Sequence, residues 1–510
     1  MTIAGRTTFV VSLALSACAV GPDYKPPAKP AASAYTREEL PSQTPSSSVA
    51  GGEAQRFQFG AELPAQWWKL FESAQLNALI EEAITNYPQI AAQQAALRQA
   101  RDSIRVQQGV FFPQVQGQVN ASRQKASLAS AESGLTIAPV SGAGGAAPTQ
   151  AQLEALLSPF LTNSIYSASV DVSYTFDVFG GERRQLESVR AQAEAQRYQL
   201  EGSYLTLTAN VAATAIQMAS VREQIAATHE IIALEEKQLN LIQRQFEVGS
   251  RARADVLQQQ SNLATVRATL PGLQQLLSVS DHQLAVLVGR FPHDAEAVAF
   301  DLSNLKLPQD LPVSLPSALV AQRPDIKAQE MAMRQANALV GVATANMLPQ
   351  LTLQGSVGDA SAKFTNWISP QASLWSFAAN LTQPLFAGGS LRAKRRAAID
   401  AYDEAAAQYK QVVLNAFQNV ADSLTALEND ALAVGAEFDA ETAAKASLDL
   451  IQRQYDAGAV GYVTLLTAQQ TYQQARIAYV QAVARRYTDT VTLFQALGGG
   501  WWNRPRSEAL

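Results

Sequence analysis

The sequence is poor in the residues that build disulfides, metal sites and most catalytic centres. Its 510 residues include a single cysteine, Cys18, and three histidines. One cysteine excludes an intramolecular disulfide and a cysteine-based zinc cluster. The sequence also lacks the G-x-S-x-G, G-x-x-x-x-G-K and H-E-x-x-H motifs of esterases, phosphate-binding loops and zinc proteases. We therefore expect no enzymatic activity, no metal and no cofactor other than a covalent lipid.

Charged residues and long apolar runs are scarce as well. Only 16% of the residues are charged, and the net charge of −5 gives no reason to expect a nucleic-acid partner. Apolar residues make up 47% of the chain. However, no segment offers the roughly eighteen uninterrupted apolar residues of a membrane-spanning helix. If the chain crosses a membrane, we expect it to do so with β-strands.

The first residues have the layout of a secretory signal that ends at a lipid-attachment site. A positive start at Arg6 precedes the apolar run FVVSLALSA, which is too short to span a bilayer. The sequence LSAC at 15–18 matches the bacterial lipobox, in which Cys18 is acylated after removal of residues 1–17. Ala19 after the cysteine matches the choice for sorting to the outer membrane. The alternative is a buried cysteine in an uncleaved leader.

The segment after the cysteine is of low complexity. Between Ala28 and Gly60 the chain is rich in proline, alanine, serine and glutamine. Such a composition buries little apolar surface, so we predict a lipid-anchored, extended tether over residues 18–62.

Beyond the tether, the sequence contains two copies of one plan. Four motifs of the first copy return in the same order in the second. We predict a first structural repeat over residues 63–308, a second over 309–497, and a C-terminal tail over 498–510. The matching pairs are NYPQIAAQQAALRQA (86–100) with QRPDIKAQEMAMRQA (322–336), FFPQVQGQV (111–119) with MLPQLTLQGSV (347–357), VFGGERR (178–184) with LFAGGSLR (385–392), and LIQRQFEVGSRARADVL (241–257) with LIQRQYDAGAVGYVTLL (450–466).

Each copy contains two stretches in which apolar and polar residues alternate. They predict strands over about 114–123, 166–178, 350–360 and 374–386. Alternation over about ten residues is typical of membrane strands with the apolar face outward, although a half-buried soluble sheet alternates in the same way. We favour membrane strands because their length suits a bilayer. The polar positions expected to line a water-filled lumen include Gln114, Gln116, Gln118, Asp171, Asp177 and Gln354.

Long helices account for most of the remaining sequence. Residues 182–248 and 391–457 contain no proline and one glycine each. About 67 helical residues form a rod of roughly 100 Å. Return helices are expected at about 251–289 and 461–497, and shorter helices at about 88–111 and 324–347. One short and one return helix together match the length of the long rod, so each copy can form a helical layer of uniform height.

Four strands per chain leave two unpaired edges, which lipid does not tolerate. Closure therefore requires several chains. Two chains would give eight strands and an interior filled by side chains, whereas three give twelve strands and room for water. The polar inward face favours three chains, and thus a homotrimer.

Several motifs resemble those of a known family. CAVGPDYKPP after the lipobox, PLFAGGSLR, AFQNVADSLTAL and the duplicated plan resemble the lipoprotein (NodT-type) branch of the TolC-like outer-membrane factors, from Cys18 to about Leu497. The resemblance implies a mixed α and β membrane protein with four transmembrane strands and long antiparallel periplasmic helices per chain. It implies a homotrimer with a twelve-stranded barrel and a helical tunnel in the bacterial outer membrane. It further implies a periplasmic adaptor and an inner-membrane RND-type transporter as partners, and a passive exit duct for small toxic compounds.

Two kinds of site follow from this resemblance. Asp422 lies on the second long helix, where the first copy has Ala213. Acids on this helix converge near the tunnel constriction in the family, so three copies of Asp422 would form an anionic ring; the alternative is a solvated helical aspartate. The helical tips are candidate adaptor-docking ends, although glycine at a helix end is also ordinary turn chemistry. The tip residues are Gly249, Arg251, Asp255, Leu257, Gly458, Val460 and Leu465.

Three other functions compete with this interpretation. An enzyme would need a catalytic motif, which we do not find. A structural lipoprotein with a helical stalk would not need alternating strands. An outer-membrane channel for type I protein secretion uses the same fold, and only the predicted N-terminal acyl group favours efflux of small compounds over protein export.

Overall fold

The structure is a computed structural model that describes residues 19–28, 30–32, 34–38, 41–125, 162–294, 300–367 and 369–504. Cys18 and the predicted signal peptide 1–17 lie outside the described residues. The chain divides into two compact units. The described residues of Met1–Tyr24, Asp102–Arg190 and Gln335–Tyr402 form the first unit, and those of Lys25–Arg101, Ala191–Arg334 and Asp403–Leu510 form the second.

In each copy, a short helix, two strands, a long helix and a return helix follow one another, in the order that the duplicated motifs predict. Among the described helices, none combines the length and the apolarity needed to cross a lipid bilayer. The elements are β1 (Arg56–Phe59), α1 (Ala74–Asn86), α2 (Pro88–Gly109), β2 (Gln114–Lys125), β3 (Thr162–Phe176), α3 (Gly181–Glu247), α4 (Arg253–Leu287), β4 (Asp310–Val313), α5 (Pro316–Gln322), α6 (Pro324–Ala345), β5 (Gln350–Ser361), β6 (Ser373–Thr382), α7 (Ser390–Asp456) and α8 (Tyr462–Ala496).

Four of the equivalent element pairs of the two copies have equal lengths. The long helices α3 and α7 contain 67 residues each, and the return helices α4 and α8 contain 35 each. The short helices α2 and α6 contain 22 residues each, and the strands β2 and β5 contain 12 each. Each long helix is thus a rod of roughly 100 Å.

The first unit contains a four-stranded antiparallel sheet with the strand order β2-β3-β5-β6. Pro113 and Pro349 immediately precede β2 and β5, where a missing backbone N–H ends the preceding helix without weakening the strand. Two strands end earlier than predicted. β3 ends at Phe176 rather than 178, and β6 ends at Thr382 rather than 386, two residues before Pro384, which has no N–H for a ladder.

The second unit has an aromatic core that joins the return helix α8 to the start of the first repeat. The rings of Trp67 and Phe494 lie 5.7 Å apart, and those of Phe71 and Phe494 lie 6.2 Å apart. Next to this core, β1 and β4 form a two-stranded parallel sheet in which Phe57 is paired with Leu311 and both are buried. The sequence did not predict this sheet, because its strands are short and far apart in the chain.

The predicted tether is not free of contacts. Its last part belongs to the second unit and contacts the guanidinium of Arg486, which is 0% exposed. Nη1 of Arg486 donates to the carbonyl of Gly51 at 2.6 Å, and Nη2 donates to the carbonyl of Glu53 at 2.6 Å and to Oγ1 of Thr44 at 3.0 Å. The segment buries little apolar surface, as its composition predicts, and is held instead by hydrogen bonds to its backbone. The predicted tether therefore makes specific hydrogen bonds to the folded chain in this part.

The predicted C-terminal tail also has specific contacts. Nε1 of Trp501 donates to the carbonyl of Gln322 at 2.7 Å, and Arg504 forms an ion pair with Glu201 at 3.2 Å. The tail is thus held by specific contacts within the second unit as far as Arg504, the last described residue.

Candidate channel surfaces and helical tips

One face of the four-stranded sheet is mostly polar over the rows nearest the helices. Residues directly opposite each other in neighbouring strands share a face. Gln114, Ser173 and Gln354 are paired in one row across three strands. Gln116, Asp171 and Ser356 form the next row in the same way. Gln118 follows on β2 and shares the face by alternation. Five of the six predicted lumen residues therefore lie together on one face.

Hydrogen bonds on this face run between strands as well as along them. The hydroxyl groups of Thr175 and Thr352 lie 3.1 Å apart, and the hydroxyl of Ser169 donates to Asp171 at 2.9 Å. Nδ2 of Asn380 donates to Oε1 of Gln354 at 3.4 Å, so β6 contributes to the polar face too.

The opposite face is apolar and exposed. One row contains Gly117, Val170, Val357 and Trp375 in direct register across all four strands. The side chain of Trp375 is 79% exposed. A contiguous apolar surface of this kind is unusual in a soluble monomer and marks contact with lipid or protein. The sheet thus separates a polar side from an apolar side, as membrane strands do.

The sixth predicted lumen residue, Asp177, occupies a different position. It follows the end of β3, and its carboxylate accepts hydrogen bonds from the backbone N–H groups of Glu182 and Arg183, both at 3.0 Å. The carboxylate also pairs with Nε of Arg183 at 3.1 Å. Asp177 therefore caps the N-terminus of α3, where its negative charge is favoured by the helix dipole. The alternation of apolar and polar residues continues through Asp177, one residue beyond the end of β3. It does so because aspartate is suitable both on the polar face of a strand and at a helix cap.

Asp422 is exposed and lies near the middle of α7. Its carboxylate accepts a hydrogen bond from Gln418 at 3.3 Å, one turn earlier on the same helix. The helical rise places Asp422 about 50 Å from Gly458 at the tip. An acidic ring at this residue would therefore lie halfway along the helical part.

The two helical tips have the same backbone geometry. Gly249 and Gly458 both have φ of +74°, a conformation in which a side chain is strained. In each tip, this glycine is the second residue after the long helix, and its N–H donates a hydrogen bond to a carbonyl of the last helical turn. Gly249 N–H bonds to the carbonyl of Phe246 at 2.9 Å, and Gly458 N–H bonds to that of Tyr455 at 2.9 Å.

The tips contact each other through a cation–π interaction. The guanidinium of Arg251 lies 4.4 Å from the ring centroid of Tyr455, so one predicted tip residue ties the first hairpin to the second. Leu257 is 54% exposed, whereas Leu465 is 0% exposed and belongs to the core between the helices. Val460 packs at the margin of that core, and Asp255 lies in the first turn of α4. Among these residues, Leu257 offers the most apolar surface for a partner.

Near the tips lies a buried polar network that was not predicted from the sequence. The carboxylate of Glu235 is buried and accepts a hydrogen bond from Nε2 of Gln259 at 2.5 Å. The hydroxyl of Tyr462 donates to Oε1 of Gln259, so the network joins the two hairpins. Burial raises the pKa of Glu235, while hydrogen bonds from Asn262 and Gln259 oppose the shift. Glutamate and glutamine recur throughout these helices, so no sequence signal distinguishes these ones.

A second buried acid lies between α7 and α8. Asp430 is 6% exposed and faces the carboxyl group of Asp489. Burial, and then the hydrogen bond and charge of Asp489, raise the pKa of Asp430 to about 7, against the opposing effect of Arg485 and Arg486.

This arrangement, a two-faced sheet followed by paired 67-residue helices, is that of known outer-membrane channels. The outer-membrane channel OprN is 26% identical and superimposes with a TM-score of 0.79, covering 95% of this chain and all of that one (100%). The Campylobacter jejuni channel CmeC, at 20% identity and a TM-score of 0.78, shows the same fold.

The chain belongs to the outer membrane efflux protein family, whose sequence model matches residues 79–290 and 315–499. The predicted family is thereby confirmed. The probable efflux pump outer membrane protein TtgC of Pseudomonas putida is 28% identical over 498 residues, covering 97% of this chain and 95% of that protein. The pyoverdine export outer membrane protein OpmQ of Pseudomonas aeruginosa is 30% identical over 437 residues, covering 86% and 87%.

Proposed function

We propose that the protein is the outer-membrane exit duct of a tripartite efflux pump and passively conducts small toxic compounds to the exterior. The observation that carries this function is the sheet with one polar and one apolar face. The relatives are named for the efflux of antibiotics, toluene and pyoverdine, which are all small compounds.

Three copies of the chain are the smallest number whose sheets can close into a barrel with a water-filled interior. β2 and β6 are the outer strands of the sheet and have no further partner strand among the described residues. Unpaired edges in lipid leave backbone groups without hydrogen bonds, so β6 of one chain would pair with β2 of the next. Twelve strands close into a barrel wide enough for water, with the polar rows of Gln114 and Gln116 inside.

Contacts outside the sheet would attach the channel to the outer membrane and to its periplasmic partner. An acyl group on Cys18 would hold the chain in the outer membrane. The tips would bind a periplasmic adaptor, which in turn would join an inner-membrane transporter of the RND type. The exposed Leu257 and Val463 offer apolar surface for this docking, and the cation–π contact of Arg251 would keep the two tips together.

Two adjacent positions in β5 test the channel directly. Ser356 belongs to the polar face, and Val357 to the apolar face at 57% exposure. We expect Ser356→Cys channels in planar bilayers to lose conductance when a charged, membrane-impermeant thiol reagent is added. The matched Val357→Cys channels should stay unaffected, because that side chain faces lipid. Equal responses of the two variants would contradict the barrel.

A photocrosslinking scan tests the docking tips. A crosslinker at Leu257 or Val463 should trap the adaptor in cells. A crosslinker at Leu432, which is equally exposed but lies midway along α7, serves as the control. Capture from Leu432 but not from the tips would overturn the docking assignment.

A further inference from the structure

The residues that follow Cys18 are bound in a groove of the first unit. The N–H of Val20 donates to the carbonyl of Phe179 at 2.9 Å, next to the end of β3. From the other side, Nδ2 of Asn337 on α6 donates to the carbonyl of Pro22 at 3.0 Å. Two elements that are distant in sequence thus hold the backbone of residues 19–23.

Arg184 on α3 completes the groove. Its Nη2 donates to the carboxylate of Asp23 at 2.7 Å, and its Nε donates to the carbonyl of Val20 at 3.3 Å. Glu187, one turn further along α3, pairs with Nη1 of Arg184 at 2.9 Å. The side chain of Arg184 is only 9% exposed. Because Glu187 already fixes the guanidinium, the site is preformed for the incoming backbone.

Glycines allow the bound segment to approach closely. A Cβ added at Gly180, whose φ is +76°, would lie 2.6 Å from Cα of Ala19. A Cβ added at Gly341 would lie 2.7 Å from Cγ of Arg184 and 3.0 Å from the carbonyl oxygen of Val20. At Gly21 it would lie 2.5 Å from Cα of Gly341. Any side chain at these positions would push the segment out of the groove.

The groove lies at the level where the sheet gives way to the helices. Ala19 contacts Gly180, between the end of β3 at Phe176 and the start of α3 at Gly181. A lipid on the residue before Ala19 would begin one peptide unit, about 3.8 Å, from this point. The apolar face of the sheet ends at the same level, so an acyl chain and the sheet would enter the same membrane leaflet.

We propose that Gly180, Gly341, Arg184 and Asn337 form a receptor groove for residues 19–23 that fixes the height of the N-terminal lipid beside the sheet. The groove makes the lipid part of the membrane-embedded surface, and Arg184 is its main positioning residue. This proposal rests on the proposed acylation of Cys18 and adds to it a place for the acyl chains.

Release of the lipid by a protease tests the groove. A protease that cuts before aspartate would cleave the Pro22–Asp23 bond and free the lipid-bearing peptide from the chain. Cells are grown with labelled palmitate, the full-length protein is purified in mild detergent, and loss of label from the polypeptide is followed over time. In the wild-type protein, the bound backbone should be protected.

Arg184→Ala should raise the rate of label release at least tenfold, and Asn337→Ala, which removes a single hydrogen bond, about threefold. Arg190→Ala on the same helix changes an exposed arginine outside the groove and should match the wild type. All variants should incorporate equal label and show equal oligomer content. If Arg184→Ala yields no folded protein, Asn337→Ala decides the question.

Two results would overturn the proposal, and they are distinguishable. Labelled variants that release lipid at the wild-type rate would show that the groove does not hold the segment, while acylation itself would stand. A wild-type chain without any label would remove the acyl group, and the positioning role with it.

Discussion

Arg486 offers the sharpest test of how the N-terminal segment is held. Its guanidinium is fully buried and makes two short hydrogen bonds to the carbonyls of Gly51 and Glu53. Hydrogen bonds to a charged group contribute about 1.5–3 kcal/mol each, and a buried carbonyl left unpaired costs about 1–3 kcal/mol. Since such terms are not additive, we expect Arg486→Ala to weaken the attachment of this segment by about 3–5 kcal/mol.

The loss should appear as local detachment rather than global unfolding, because the aromatic core around Phe494 is untouched. Amide hydrogen exchange is the suitable assay. The N–H of Thr44 donates to the carbonyl of Gln55 at 2.8 Å, and the N–H of Gln55 donates to Oγ1 of Thr44 at 3.0 Å. A loss of 3 kcal/mol corresponds to roughly a hundredfold faster exchange of these amides, at about 1.4 kcal/mol per factor of ten.

The neighbouring Arg485 is exposed and provides the control. Arg485→Ala should leave exchange at Thr44 and Gln55 near the wild-type rate. If Arg486→Ala changes their exchange less than threefold, hydrogen bonds to the buried guanidinium do not hold the segment, and the reasoning is refuted.

Three aspartates give further predictions. The raised pKa of Asp430 means that the folded state prefers its protonated form, so stability is present at low pH and is lost as pH rises from about 4 through about 7. Asp430→Asn should therefore gain about 1–3 kcal/mol over the wild type at pH 8 and nothing at pH 4 in urea unfolding; equal pH profiles would contradict this. Asp422→Ala should make the channel leakier in planar bilayers, and unchanged conductance across pH would count against an acidic ring. Asp177→Ala should lower stability by about 1–2 kcal/mol through loss of the α3 cap, measured by thermal unfolding, with Asp177→Asn close to the wild type.

The helical architecture could be predicted from the sequence because its signals are local. Uninterrupted helical composition predicted long helices at 182–248 and 391–457, and the observed helices begin and end one residue earlier, at Gly181–Glu247 and Ser390–Asp456. Period-two alternation likewise assigned the faces of β2 and β5. Such patterns repeat over many residues, so a single misleading residue has little influence.

Features that depend on single long-range contacts could not be predicted. Pairing of β1 with β4 joins four-residue segments that are distant in sequence. The attachment of the N-terminal segment includes long-range hydrogen bonds from Arg486, which in the sequence resembles any other helical arginine. Asp177 was misplaced by one residue beyond its strand because both a strand and a helix cap accept aspartate.

The equal lengths of the two helical hairpins, α3 with α4 and α7 with α8, restrict how such a protein can change in evolution. The tips touch through Arg251 and Tyr455, so both hairpins must reach the same level. A seven-residue insertion in only one long helix would displace its tip by about 10 Å and break this contact. Insertions and deletions in the hairpins should therefore be tolerated only in matched pairs, one in each half of the gene. The lengths of the two hairpins are thus expected to change together during evolution.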